Sequence, residues 1–172
     1  STAVRAALER LGWTRPAGFF THWNGQARGA AELWLETWAG RRHVMARRRP
    51  AAGGGYAYVL EPGLERAGAG RLQPAAAGNA VVIDELGWTE LASPAFVAAI
   101  VPVLHGPAPV LAVIQERALA QWLAAFGGGV QPRLLRAEPA TRDDLPGAIA
   151  ACFPHRFPGA VLGWRAGGGW DN

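Results

Sequence analysis

Apolar and polar positions recur with two periods in the first third of the chain, and each period predicts one kind of element. Residues 2–11 carry apolar side chains three and four positions apart, which predicts an amphipathic helix. Residues 32–38 and 42–47 alternate apolar with polar side chains around a short turn, which predicts an antiparallel hairpin with one solvated face. The aromatic run at 16–21 and the apolar run at 56–60 predict two further strands.

Several segments between these elements are rich in residues that interrupt regular structure. Residues 24–29 are polar and contain glycine, and residues 47–55 join an arginine run to Pro50 and three glycines, so both predict loops. Residues 64–79 predict a short helix and a loop. From about residue 153 onward, repeated proline and glycine predict an irregular carboxyl-terminal tail.

The second half of the chain has a regular alternation of strand and helix patterns. Apolar runs of strand length occupy 80–83, 110–114 and 133–136, and they alternate with helical patterns over 94–104, 118–126 and 141–152. Strands that alternate with helices of this length form βαβ units. The pattern therefore predicts an α/β fold with a mostly parallel sheet, to which the hairpin is added.

Composition places the chain among single globular domains. The chain has 172 residues, half of them hydrophobic, which is enough material for one complete core over residues 1–172. Its single cysteine, Cys152, excludes a disulfide within the chain and fits a reducing compartment. No apolar run reaches the roughly 18 residues that a membrane helix needs. We therefore expect a cytoplasmic protein with no membrane partner.

The basic residues are all arginine. The formal net charge is +4, and the 17 basic residues include no lysine. A phosphate-binding loop of the form GxxxxGK[ST] requires a lysine, so these residues contain none.

Two adjacent carboxylates, Asp84 and Glu85, end the buried run at 80–83. The carboxyl ends of parallel strands form the ligand-facing edge of such sheets. One carboxylate at that edge can hold a hydrated Mg2+ ion while its neighbour polarises a water molecule, and hydrolysis of a phosphoanhydride needs both. The alternative is that the pair only ends a strand and caps the following helix.

Five segments share their residues and order with a known family. They are Gly18-Phe19-Phe20-Thr21, the strand at 56–60, the stretch from Val82-Ile83-Asp84-Glu85-Leu86-Gly87 to Phe96, the strand at 109–113, and Thr141-Arg142-Asp143 with Leu145. Over residues 1 to about 150 the chain resembles the small P-loop nucleoside-triphosphatase family first described from thermophiles. The resemblance implies a three-layer P-loop-type domain with an inserted hairpin, and Mg2+-dependent hydrolysis of nucleoside triphosphates with broad base tolerance.

The resemblance also assigns the amino-terminal residues. Family members open with a strand and a glycine-rich loop ending in Gly-Lys-Ser/Thr-Thr, and Ser1-Thr2 resembles the end of that loop. It implies that Ser1 supplies a metal-binding hydroxyl, that Thr2 lies in the nucleotide site, and that the first strand and phosphate loop are missing here. We therefore expect negligible hydrolysis by this chain alone, and two unpaired strand edges inside its sheet. A second departure is that Thr21-His22-Trp23 replaces the family's Thr-x-Glu-Val-Arg.

Three further residues at predicted strand ends are candidates for contact with phosphate. Gln115 follows the strand at 110–114 and is a candidate sensor of the γ-phosphate, while Arg117 and Arg142 are candidates for neutralising phosphate charge. Each also has an ordinary interpretation. Gln115 is then a polar strand end, Arg117 a solvated surface residue, and Arg142-Asp143 a helix cap.

The aromatic and arginine residues of the hairpin support a rival function. Trp23, Trp34 and Trp38 lie near five arginines in the sequence, and together they predict a face that stacks bases and binds phosphates: Arg41, Arg42, Arg47, Arg48 and Arg49. The rival is a non-catalytic module that binds RNA or single-stranded nucleic acid. A third alternative is a family member that keeps the fold as a scaffold without activity.

Overall fold

A computed structural model describes residues 2–24, 30–61, 80–153 and 160–165 of the chain. The predicted loop at 24–29, apart from Asn24, and the helix and loop predicted at 64–79 lie outside the described residues, as does Ser1.

The predicted helices are present, with small changes at their ends. The described helices are α1 (Thr2–Leu11), α2 (Trp88–Leu91), α3 (Pro94–Leu104), α4 (Leu119–Phe126) and α5 (Leu145–Ala151). Helix α3 starts at a proline, and the Ser93 hydroxyl caps it by accepting the Phe96 backbone N–H at 3.2 Å. Helix α5 begins later than predicted because residues 139–141 form a separate 3₁₀ turn.

The strands form one mixed sheet. They are β1 (Ala17–Trp23), β2 (Glu32–Thr37), β3 (Arg42–Pro50), β4 (Tyr56–Leu60), β5 (Val81–Leu86), β6 (Val110–Gln115), β7 (Arg133–Ala137) and β8 (Ala160–Arg165). Their order across the sheet is β4-β3-β2-β1-β5-β6-β8-β7. The pairs from β1 through β5, β6 and β8 to β7 are parallel, and β1 to β4 form an antiparallel meander. The predicted mostly parallel sheet with an added hairpin is confirmed.

The arginine run was predicted as a loop and is instead part of a strand. β3 continues through Arg47, Arg48 and Arg49 to Pro50, and its last five residues pair with β4. Proline and arginine weaken a strand prediction made from sequence alone. Here the run pairs with β4 on one side and the Arg48 N–H bonds to the Ala31 carbonyl oxygen on the other, so only the turn at 51–55 remains outside a strand.

The expectation of an irregular tail is wrong for residues 160–165. These residues form β8, which lies between β6 and β7 and pairs in parallel with both. The expected pair of unpaired edges is therefore also wrong, because β8 occupies the position between them. A short run flanked by glycine and proline carries little local strand signal. Two adjacent strand edges supply the hydrogen-bond partners that stabilise it.

Helices cover both faces of the parallel part of the sheet, which makes the domain three-layered. One core contains Val81 and Ile83 of β5 with residues of α3 and α4, and the other contains Val82 with residues of α1 and α5. Gly18 brings β1 close to β5: its φ is +98°, and a Cβ there would lie 2.1 Å from the Val82 carbonyl oxygen. In the same pairing, Phe20 of β1 lies level with Asp84 of β5.

Candidate functional site

The carboxylate pair lies at the carboxyl end of β5, as predicted. Asp84 and Glu85 are 2% and 6% exposed, respectively. In the pairing with β6, Asp84 opposes Val113 and Leu86 opposes Ile114, so Glu85 is the extra residue of a bulge. A bulge redirects the side chain that it carries. At the bulge the strand's side chains do not alternate regularly between the two faces of the sheet, so two successive residues both have buried carboxylates.

Glu85 is joined to two of the predicted residues by hydrogen bonds. Gln115, the last residue of β6, donates its side-chain Nε2–H to Glu85 Oε1 at 2.5 Å. Arg117 donates its Nε–H to Gln115 Oε1 at 3.2 Å. The structure thus brings Glu85, Gln115 and Arg117 together, and the guanidinium group at the end of this chain of hydrogen bonds is exposed.

Gly87 forms the floor beneath Gln115. A Cβ atom at Gly87 would lie 2.6–2.7 Å from the Gln115 side-chain amide, well inside contact distance. The backbone of Gly87 is held from two sides: its N–H is donated to Glu90 Oε2 at 2.7 Å, and its carbonyl oxygen accepts Trp122 Nε1–H at 3.2 Å. A side chain at position 87 would therefore displace the Gln115 amide from its place beside Glu85.

Glu90 is a buried residue of the site that the sequence analysis did not select. It is 4% exposed, and burial raises the pKa of its carboxyl to about 7, with a smaller upward contribution from the charge of Glu85. Backbone N–H groups of Glu90 and Gly87 act in the opposite direction. The sequence did carry a signal for Glu90. It lies three residues after Gly87, the residue before α2, and this is the spacing of a capping box.

The remaining predicted residues are not joined to this chain of hydrogen bonds. Thr2 is exposed as the first residue of α1, and Ser1 lies outside the described residues. Arg142 is exposed in the turn before α5, and no hydrogen bond between described residues links it to Glu85, Gln115 or Arg117.

The site offers oxygen donors suited to a magnesium ion. The buried Asp84 carboxylate is the kind of hard oxygen donor that Mg2+ prefers. In the described ranges, no group of three or more His, Cys, Asp or Glu side chains is arranged to hold a metal. A magnesium ion usually keeps several water molecules and takes only one or two protein carboxylates beside phosphate oxygens, a number that Asp84 and Glu85 can supply.

The predicted aromatic and arginine set is divided between the two faces of the sheet. Trp34 and Trp38 lie on one face with Phe20 and His22, whereas Trp23 packs against Tyr58 and the core of the other face. Several of the arginines are paired with acids: Arg42 with Glu36, Arg47 with Glu32 and Glu61, and Arg49 with Glu61. No helix in the described part of the chain is long and apolar enough to span a bilayer.

Comparison with known proteins gives concordant matches. The model of a family described as NTPase matches residues 2–150. The nucleoside-triphosphatases THEP1 of Methanosarcina acetivorans and Methanosarcina barkeri are each 39% identical over 90 residues, 52% of this chain. The aligned part spans about half the length of these two relatives, 50% and 51%.

Two solved structures share the fold. The crystal structure of THEP1 from the hyperthermophile Aquifex aeolicus matches with a TM-score of 0.67 and 23% identity, covering 88% of this chain and 90% of that one. The solution structure of a human cancer-related nucleoside triphosphatase matches with a TM-score of 0.62 and 24% identity, covering 88% of this chain and 89% of that one.

Proposed function

Since the chain belongs to the NTPase family, whose model matches residues 2–150, we propose that it provides the catalytic carboxylates of a Mg2+-dependent nucleoside-triphosphate hydrolase. The reaction is attack of water on the γ-phosphorus, giving a nucleoside diphosphate and inorganic phosphate. The observation that carries the proposal is the buried Glu85 at a strand tip, fixed by Gln115 and adjacent to Asp84. Such a site positions a water molecule and places negative charge for a metal.

Glu85 acts on the attacking water. Its carboxylate accepts a hydrogen bond from the water and takes up a proton as the new P–O bond forms. The bond from Gln115 to Oε1 restricts the orientation of the carboxylate. Positioning of this kind is the main contribution that a protein makes to phosphoryl transfer.

Asp84 would hold Mg2+ through the water molecules of the ion, and the Ser1 hydroxyl would be a direct ligand, with Thr2 beside the nucleotide. Bound Mg2+ neutralises charge on the β- and γ-phosphates. Arg117 and Arg142 are proposed to neutralise phosphate oxygens as planar guanidinium forks. Gln115 is proposed to sense the γ-phosphate. Its side chain forms hydrogen bonds with both Glu85 and Arg117, so a shift of that side chain would change both hydrogen bonds.

Turnover also requires a phosphate-binding loop. The 172 residues contain no lysine, so we propose that these residues alone hydrolyse nucleoside triphosphates negligibly. The proposed groups address phosphate, metal and water, which supports broad base tolerance. The single cysteine supports a cytoplasmic location.

The test compares two substitutions in a protein that carries a strand and a GxxxxGKS loop joined ahead of Thr2. Glu85→Gln keeps the shape of the side chain, so Mg-nucleotide affinity should stay within about twofold while single-turnover hydrolysis falls about 100-fold. Asp84→Asn should weaken nucleotide binding only when Mg2+ is present, because it removes charge from the outer shell of the metal. If the loop-bearing parent binds no Mg-nucleotide, the scaffold alternative replaces the proposal. If both variants turn over within about twofold of the parent, the carboxylates only end a strand.

A further inference from the structure

A row of rings crosses one face of the antiparallel meander, and we call it the aromatic face. It consists of Trp38, Phe20, His22 and Trp34, with successive ring centroids 5.1, 5.7 and 6.1 Å apart. All four residues are partly exposed. Their neighbours in sequence, such as Phe19, Leu33 and Leu35, are buried on the opposite face, in the core that includes residues of α3 and α4. At one end of the row, Trp38 packs against the second core and donates its Nε1–H to the Val82 carbonyl oxygen at 3.0 Å.

Arginines lie over both ends of the aromatic face. The Arg5 guanidinium is 4.7 Å from the centre of the Phe20 ring and 5.5 Å from that of Trp38, and the Arg42 guanidinium is 5.7 Å from that of Trp34. Arg5 and Arg42 are both exposed. A guanidinium group that stacks on a ring keeps its N–H groups in its own plane, where they can donate to phosphate oxygens.

The charge of this surface is only weakly positive. The surface carries four arginines and three glutamates: Arg5, Arg42, Arg47 and Arg49, and Glu32, Glu36 and Glu61. The glutamates form ion pairs with Arg42, Arg47 and Arg49. Glu36 also accepts His22 Nε2–H at 3.0 Å, and Glu32 accepts Trp34 Nε1–H at 2.7 Å. These bonds fix the planes of two rings. The surface therefore offers oriented rings and few uncompensated charges.

We propose that the aromatic face binds single-stranded nucleic acid by stacking two or three bases on its rings, with Arg5 and Arg42 contacting the flanking phosphates. Open sheet faces with aromatic side chains bind single strands in this way. A duplex is a poor fit, because its bases are stacked on one another and the surface has too little net charge to hold a backbone alone. The proposal does not depend on nucleotide hydrolysis, although Phe20, the second ring of the row, lies beside Asp84 in the sheet.

The test uses the chain itself and a fluorescently labelled eight-nucleotide RNA, with binding followed by anisotropy. Stacking contributes about 1–3 kcal/mol per base, so Trp34→Ala should weaken binding about 10-fold and Trp34→Phe, which keeps a ring, less than threefold. The matched control is Trp88→Ala, since Trp88 is a 43% exposed tryptophan on α2 outside the row. Arg42→Gln should weaken binding about threefold or more, and Arg133→Gln at the far edge of the sheet should not change it.

The salt dependence and the strand preference complete the experiment. Two phosphate contacts on a single strand predict a slope of log K against log salt of about −1.4. A duplex of the same sequence should bind at least about 10-fold more weakly. The proposal is overturned if the RNA does not bind at about 50 mM salt, if the duplex binds as tightly, or if Trp88→Ala weakens binding as much as Trp34→Ala. If the circular dichroism spectrum shows that Trp34→Ala is unfolded, the RNA affinities of Trp34→Phe and Arg42→Gln are compared with that of the parent instead.

Discussion

Gln115 Nε2 lies 2.5 Å from Glu85 Oε1, although the two residues are 30 positions apart in the sequence. The contact exists because β5 and β6 are parallel neighbours and end at the same edge of the sheet. The same amide accepts Arg117 Nε–H through its oxygen. The orientation of the proposed general base is therefore tied to a residue on the next strand.

Replacing Gln115 by leucine removes both hydrogen bonds while keeping a side chain of similar size. In the loop-bearing protein, Gln115→Leu should lower single-turnover hydrolysis about 10-fold or more and leave diphosphate affinity within about twofold, because the diphosphate lacks the group that Gln115 is proposed to sense. Gln121→Leu, on the exposed surface of α4, is the control. Turnover within twofold of the parent would show that Gln115 is an ordinary polar strand end.

A methyl group at Gly87 should act through Gln115. The φ of Gly87 is −128°, which any residue adopts, so Gly87→Ala strains no backbone and instead displaces the Gln115 amide. Hydrolysis should fall about as far as in Gln115→Leu, and the free energy of unfolding by about 1 kcal/mol. Because both changes break the same bond, the double variant should lose little more turnover than either single one.

The matched control for this cycle is Gly128→Ala, where a Cβ atom has open space around it. If the losses in turnover from Gly87→Ala and Gln115→Leu add in the double variant, the two residues act independently.

Glu90 should make the stability of the protein depend on pH. Its pKa in the folded state is about 7 against an ordinary value of 4.5, so between these values the folded protein binds more protons than the unfolded chain. The contribution of Glu90 to the free energy of unfolding is therefore full below about pH 4.5 and is lost as the pH rises through about 7. Glutamine at this position stays neutral. As the pH rises from 4.5 to 8, the free energy of unfolding of Glu90→Gln should therefore increase relative to that of the parent, on the order of 2–3 kcal/mol.

Urea denaturation of the parent and Glu90→Gln at pH 4.5 and pH 8 measures this difference. Glu9→Gln on the exposed side of α1 is the control, and it should follow the parent at both pH values. An unchanged difference between Glu90→Gln and the parent at the two pH values would contradict the assignment.

Backbone pairing through β8 should contribute to the stability of the whole sheet. Leu162 pairs with Ala112 on one side and Leu134 on the other. Leu162→Pro removes a backbone N–H from a central strand and should lower the free energy of unfolding by about 2–3 kcal/mol, whereas Leu162→Val keeps it and serves as the control. Equal effects of the two substitutions, measured by thermal and urea unfolding, would show that the pairing contributes little.

The sequence by itself determined the elements whose signals are local. The periods of apolar residues were sufficient for α1, α3, α4 and the hairpin strands, because each buries a face that its own sequence defines. The buried run ending in Asp84 and Glu85 was likewise sufficient to place two carboxylates at a strand tip. The end of the following strand placed Gln115 at the same edge of the sheet.

Only the tertiary structure decided the features that depend on partners distant in the sequence. β8 is a strand because β6 and β7 both pair with it, and no pattern within residues 160–165 contains that information. The same holds for the pKa of Glu90, which burial raises, and for the close contact between Gly87 and the Gln115 side chain. Strand register also divided the aromatic residues between the two faces of the sheet. Trp34 lies on the open face, and Trp23 lies on the face that carries the core with α3 and α4. Pairing, burial and close contact are properties of the folded chain, so local sequence patterns do not specify them.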